Sequence, residues 1–218
     1  MAQIFRPGAD TIARLVLAAL AGVPVLAVGF GHAVMRSSYV TGQDVTREQP
    51  VPFSHEHHVG GLGLDCRYCH ASVERTRYAG MPPTETCMTC HSQLWTNAGM
   101  LAPVRASLAE ERPLRWRRVH DLPGYVYFDH SVHVANGVGC STCHGAVDRM
   151  PLMRQAAPLT MGWCLDCHRR PEHHLRPREA VFDMTWSPPK DQAAQGRRLM
   201  AQYHVDARRL TDCSRCHR

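Results

Sequence analysis

Residues 15–35, LVLAALAGVPVLAVGFGHAVM, run for 21 residues without a formal charge, with Arg14 before them and Arg36 after. A helix of about that length crosses the hydrocarbon core of a bilayer. Pro24, inside the run, is expected only to kink it. A cleaved secretory signal usually has a shorter apolar stretch and a clear small-residue cleavage site. Gly31-His32-Ala33 matches such a site poorly, so an uncleaved anchor is expected, with residues 1–38 as cytoplasmic N-terminus and single transmembrane helix. His32, near the outer end of this helix, reads as an interfacial surface residue, with contact to a quinone or an anionic group as the rarer alternative.

Beyond the anchor the apolar positions are sparse and seldom periodic. Residues 36–52, with Gly42, Pro50 and Pro52, read as an extended linker. Thr84 and Thr160 suit the N-caps of short helices, and Pro171 should stop the second. Residues 103–111 open on a proline and predict another short helix, and residues 191–203 a further one. Residues 114–119 and 125–128 suggest a small hairpin across Asp121-Leu-Pro-Gly124. The expected fold class is therefore mainly α and irregular, short helices joined by long loops behind one membrane helix.

Composition adds a difficulty. Aromatics make only 7% of the chain while Pro (15) and Gly (16) are plentiful, so side chains alone would struggle to build a dense core. No G-x-G-x-x-G, G-x-x-x-x-G-K-[ST] or G-x-S-x-G occurs, which removes the commonest nucleotide-binding and serine-hydrolase signatures. All ten cysteines fall into five pairs, each two residues apart and each followed by histidine: Cys66, Cys69 and His70; Cys87, Cys90 and His91; Cys140, Cys143 and His144; Cys164, Cys167 and His168; Cys213, Cys216 and His217. C-x-x-C-H is the attachment signature of c-type haem. Residues three apart share a helical face, so two sulfurs reach the two vinyl groups while the next residue turns toward the iron as proximal ligand. Structural zinc takes such pairs two at a time, whereas here they number five, and zinc gives no reason for the invariable histidine. A disulfide framework would show more dispersed spacings.

Five covalently bound haem c groups would supply the missing core. They would also bring the formal charge of +6 to roughly +1 once ten propionates and five ferric centres are counted, which makes nucleic acid an unlikely partner. Covalent attachment takes place outside the cytoplasm, so the outer part should face the periplasm, anchored in the inner membrane. Phe53-x-His55-x-x-His58 precedes the first site and Phe128-x-His130-x-x-His133 the third. The repeat marks a two-haem module used twice, over residues 53–97 and 128–170, with 39–52 as linker, 98–127 as connection and 171–218 carrying the fifth site. The spacing of three puts two imidazoles on one helical face, where they could serve as distal ligands of two different haems. His120 is the expected fifth distal ligand, ahead of His173, His174 and His204. Methionine at one site (Met81, Met150, Met153 or Met161) is the alternative. An iron with two protein ligands has no position for substrate, so the chain reads as an electron relay rather than an enzyme. A multihaem reductase would need an open iron, often marked by lysine in place of the proximal histidine, and the only lysine, Lys190, is remote from every pair.

With these motifs, the anchor and the runs Trp116-Arg-Arg-Val-His120-Asp-Leu-Pro-Gly-Tyr-Val-Tyr-Phe128 and Met161-Gly-Trp-Cys-Leu-Asp-Cys-His168, the chain resembles the pentahaem cytochrome c subunit of bacterial alternative complex III. The resemblance implies a quinol-oxidising complex. Its other parts would be polytopic quinol-binding membrane subunits, an iron-sulfur subunit akin to molybdopterin oxidoreductases, and a monohaem cytochrome c subunit or soluble carrier that takes the electrons. The other family of similar layout is the tetrahaem quinol dehydrogenases that anchor periplasmic nitrate and nitrite reductases. Their first site can read C-x-x-C-H-x-M, whereas His70 here is followed by Ala71 and Ser72.

Overall fold

The computed structural model describes residues 5–6 and 8–217. Residues 1–4 and Pro7 of the expected cytoplasmic segment, and Arg218, lie outside the described residues. The chain forms two compact units that divide between Gln43 and Asp44.

In the first unit, α1 (Ala9–Arg36) begins before the apolar run, and Asp10 and Arg14 pair across its first turns at 2.9 Å. No residue of α1 is buried, although its apolar window has a mean hydropathy of 2.1. A helix apolar on every side suits lipid or a protein interior. This one is long and apolar enough to cross a membrane. Ser37 turns to an extended conformation and ends it, and α2 (Ser38–Thr41) closes on Gly42 at φ 68°.

The second unit is built of short helices: α3 (Cys66–Cys69), α4 (Thr84–His91), α5 (Ala102–Ala109), α6 (His130–Ala135), α7 (Cys140–His144), α8 (Met161–Arg169), α9 (Gln192–Tyr203) and α10 (Cys213–Cys216). Among the described residues β-pairing is limited to three isolated bridges. Every C-x-x-C pair therefore opens, lies on or closes a helical turn. Thr160 caps α8 as expected, accepting from the Trp163 N–H at 3.4 Å, and α8 ends before Pro171. Thr84 sits one position inside α4 behind Pro83, and its hydroxyl meets Ser107 at 2.6 Å instead of capping.

Apolar packing is thin. One cluster joins Val51, Leu101 and Val104, with Leu114 and Trp116 against it, and another joins Leu175, Leu199 and Tyr203. Two expectations change here. The stretch read as a linker is docked, because Val51 is buried and the Gln49 side-chain amide bonds both backbone groups of Arg117, at 2.9 and 3.0 Å. The hairpin does not form: Leu114 and Trp116 turn into the Val51 cluster, and Val126 bridges to His217 instead, with Tyr127 N–H donating to Cys216 at 2.7 Å. Burying Trp116 and closing the C-terminal turn outcompeted a two-stranded ribbon that is marginal alone.

The two modules interlock rather than follow one another. The π-helical turn Glu56–Gly61 packs on the turn Val147–Arg149 behind the third site, and Glu56 N–H donates to Met150. In return, Arg77 of the first module accepts from His130 of the second.

Candidate haem site

The F-x-H-x-x-H segments build the same clamp twice. Phe53 meets His55 edge-on at 4.9 Å and stacks on His58 at 4.4 Å; Phe128 meets His130 edge-on at 4.8 Å and stacks on His133 at 4.5 Å. The second histidine of each pair turns Nδ1 onto a carbonyl four residues back, His58 to Ser54 at 2.8 Å and His133 to Asp129 at 2.7 Å. One copy is a π turn and the other an α turn, yet the rings land alike. Asp129 caps α6 through the Ser131 N–H at 2.8 Å.

Each clamp faces C-x-x-C-H histidines. His58 and His91 have ring centroids 6.2 Å apart, His130 and His144 6.3 Å, and His133 and His168 6.1 Å. Two metal–imidazole bonds of about 2 Å each, plus the ring radius on either side, span about 6 Å between centroids. The three pairs thus fit a single iron held between two imidazoles. A charge on His70 would disfavour protonation of His55.

The nitrogen chemistry agrees. Nδ1 of His70 lies 2.7 Å from the Gly80 carbonyl, that of His91 3.2 Å from Leu94, of His168 3.0 Å from Leu210 and of His217 3.3 Å from Tyr125. A carbonyl only accepts, so the hydrogen sits on Nδ1 and Nε2 keeps its lone pair for a metal. Burial pushes His55 down to about 4, with His70 and His58 adding to it, and His144 down to about 3, with His120 and His130 adding to it. Burial likewise lowers His58 and His133. These rings are neutral at pH 7, the form that binds metal.

The ten cysteines are free thiols, and their neighbours order the sites. Cys66 and Cys140 interact, which together with burial drives the Cys140 thiol up; the same interaction holds Cys66 down at about 7 against burial, which would raise it. Burial raises Cys69, with Cys87 beside it adding to the effect. Cys143 is pushed up to about 12 by burial and then by Cys167 and Cys164. Burial raises Cys164, and Cys216 adds to it. Electrostatic influence between cysteines therefore links the second site to the first, the first to the third, the third to the fourth and the fourth to the fifth.

Two stretches match known families: residues 32–102 the class III cytochrome c family, and residues 126–218 cytochrome c7 and related cytochrome c. All five C-x-x-C-H motifs fall inside those stretches. The chain is a multihaem c-type cytochrome. It is also 33% identical over 104 residues, 47% of its length, to the multihaem cytochrome c subunit of menaquinone reductase from Nitratidesulfovibrio vulgaris. The cytochrome spans about half the length of that curated relative (49%).

The structure changes the reading of one expected ligand of the cytochrome and adds a residue. His120 does not stand across an iron-wide gap from any C-x-x-C-H histidine. Its Nε2 is 3.2 Å from Nδ1 of His144 with centroids at 4.3 Å, too close for a metal between them. His217 has Tyr125 as its ring neighbour at 5.9 Å. His57 is exposed, as its mismatch with Val132 in the other copy suggested, and Met150 is buried in the core at 1% exposure. Arg176 was not legible in the sequence. Its buried guanidinium lies over Trp186, packs against Gly139, and donates to Ser141 at 3.0 Å, the first residue between the third pair of cysteines. A side chain on Gly139 would collide with it. An arginine found through contacts 35 residues away leaves no local signal.

Proposed function

We propose that the cytochrome holds five haems and works as a membrane-anchored relay within a quinol-oxidising complex of the alternative complex III kind, its outer part on the periplasmic side. The observation that carries the reading is the repeated clamp, which sets His58, His130 and His133 at 6.2, 6.3 and 6.1 Å from His91, His144 and His168, together with exposed Cys90 in the second site and exposed Cys213 in the fifth. A carrier that must accept from one partner and donate to another needs an exposed site at each end and neighbours between. Haem c bound at these sites supplies iron that changes by one electron between ferric and ferrous.

The chain's own residues do the rest. Each cysteine pair would hold its group covalently, and the C-x-x-C-H histidine would offer Nε2 to the iron. His58, His130 and His133 would hold the same iron as His91, His144 and His168, pairings that the ring separations support, and His55 would serve the first site. Two protein ligands at each of those four sites would exclude substrate there and favour relay over catalysis at iron. Helix α1 ties the relay to a membrane, where polytopic quinol-binding subunits, an iron-sulfur subunit and a monohaem cytochrome c would be its partners.

A second reading reverses the flow. Similarity to a menaquinone reductase subunit supports a path that ends on quinone rather than starting from quinol.

The test removes one end. In the purified complex, Cys213→Ser with Cys216→Ser should leave four haems by pyridine haemochrome assay and stop most quinol-to-acceptor turnover, and Cys87→Ser with Cys90→Ser should do the same from the other end. Full turnover with either end removed refutes the relay order. Quinol oxidation by this chain purified alone would instead favour the tetrahaem quinol dehydrogenase kind, and faster reduction of quinone than oxidation of quinol would favour the reversed path.

A further inference from the structure

Four of the five C-x-x-C-H histidines turn Nδ1 to a backbone carbonyl; His144 alone turns it to another imidazole, that of His120. We infer that His120 is a positioning residue for the third site: its Nε2 accepts the Nδ1–H of His144 and makes His144 the most electron-donating proximal ligand of the series. The inference rests on the reading that the third site holds haem.

The direction of the hydrogen bond follows from valence. An imidazole that gives Nε2 to iron has its remaining hydrogen on Nδ1, so His144 donates and His120 accepts with a bare Nε2. The 3.2 Å separation and the 74° between the rings suit an N–H aimed edge-on at a lone pair. An imidazole nitrogen is a far stronger base than an amide oxygen. It draws the Nδ1 proton further toward itself, gives His144 more imidazolate character and favours ferric iron over ferrous. The third site is thereby set to a lower potential than a carbonyl acceptor would give it.

His120 is well placed for this alone. It lies in the connection between the modules, beyond the Trp116 anchor, and is half-buried, while His130 occupies the opposite side of His144 at 6.3 Å with its ring nearly parallel. The distal position is thus filled without His120.

The experiment uses the full chain matured with haem, as wild type, His120→Leu and His120→Gln. Leucine keeps bulk and offers no acceptor; glutamine returns an amide oxygen. Haem content is counted by pyridine haemochrome assay and mass, spin state by electron paramagnetic resonance and carbon monoxide binding, and midpoints by potentiometric titration. The expected result for His120→Leu is five haems, no high-spin or carbon monoxide-binding component beyond wild type, and one midpoint shifted upward with the other four unmoved; His120→Gln should return most of that shift. A new high-spin, carbon monoxide-binding haem would make His120 an iron ligand and overturn the inference, as would five unmoved midpoints. Should His120→Leu fail to accumulate, nitrogen-15 histidine spectra of reduced wild type should show coupling between a ligand Nδ1–H and a non-ligand imidazole nitrogen, and its absence overturns the inference. Fewer than five haems in wild type would instead count against the proposed function, which keeps the two failures apart.

Discussion

His133→Ala tests the clamp most directly. The ring it removes is stacked on Phe128 at 4.5 Å, bonded through Nδ1 to the Asp129 carbonyl at 2.7 Å and set 6.1 Å from His168. Losing the partner of the part-buried Asp129 carbonyl costs about 1–3 kcal/mol and losing the aromatic pair about 0.5–1.5 kcal/mol. The folded outer unit should therefore lose about 2–4 kcal/mol, lowering its Tm by roughly 5–15 °C. The spectroscopic effect is sharper, because phenylalanine cannot ligate iron and no other clamp ring faces His168. One haem in five should become high-spin and bind one carbon monoxide per chain, with all five still attached, since attachment depends on Cys164 and Cys167. His57→Ala, which removes an exposed ring, should change neither spin state nor carbon monoxide binding. An unchanged low-spin spectrum in His133→Ala, with haem content intact, would refute the pairing and with it the reading of the 6 Å separations.

Further tests probe the scaffold and its pH response. In α9, a Cβ on Gly196 would strike the Glu172 backbone, so Gly196→Ala should lose to overpacking, about 1–3 kcal/mol, more than the roughly 1 kcal/mol it gains in helix propensity. Gly162→Ala in α8 meets nothing and should be neutral or stabilising by up to about 1 kcal/mol, and thermal melts compare the two. The Ser131 hydrogen bonds hold the Asp129 carboxyl below its usual 3.8, so its stabilisation is complete above 3.8 and is lost as pH falls through the lower folded-state value. Asp129→Asn still caps α6 but does not titrate, so melts followed from pH 5 to pH 3 should fall less steeply than in wild type. A mutant that parallels wild type over that range would contradict this.

The sequence alone located the five C-x-x-C-H motifs and their helical turns, because one turn needs no distant partner to be recognised. It also determined the apolar helix of residues 15–35, the lack of sheet, and the His55, His58, His130 and His133 clamps, since their spacing and their phenylalanines act within a few residues. Local chemistry likewise set Thr160 as the cap of α8 and its stop before Pro171. Only tertiary structure decided the order of the sites. Cys66 and Cys140, 74 residues apart, come to influence one another because the modules interlock through Glu56 and Met150 and through His130 and Arg77. The same folding moved His120 from an expected iron ligand to the back of His144, buried Arg176 behind the third site, and spent Val126 on His217 rather than on a hairpin. Each of these outcomes was chosen by competition among contacts distant in sequence, for burial of a ring or for a carbonyl's one free donor, and no window along the chain contains both competitors.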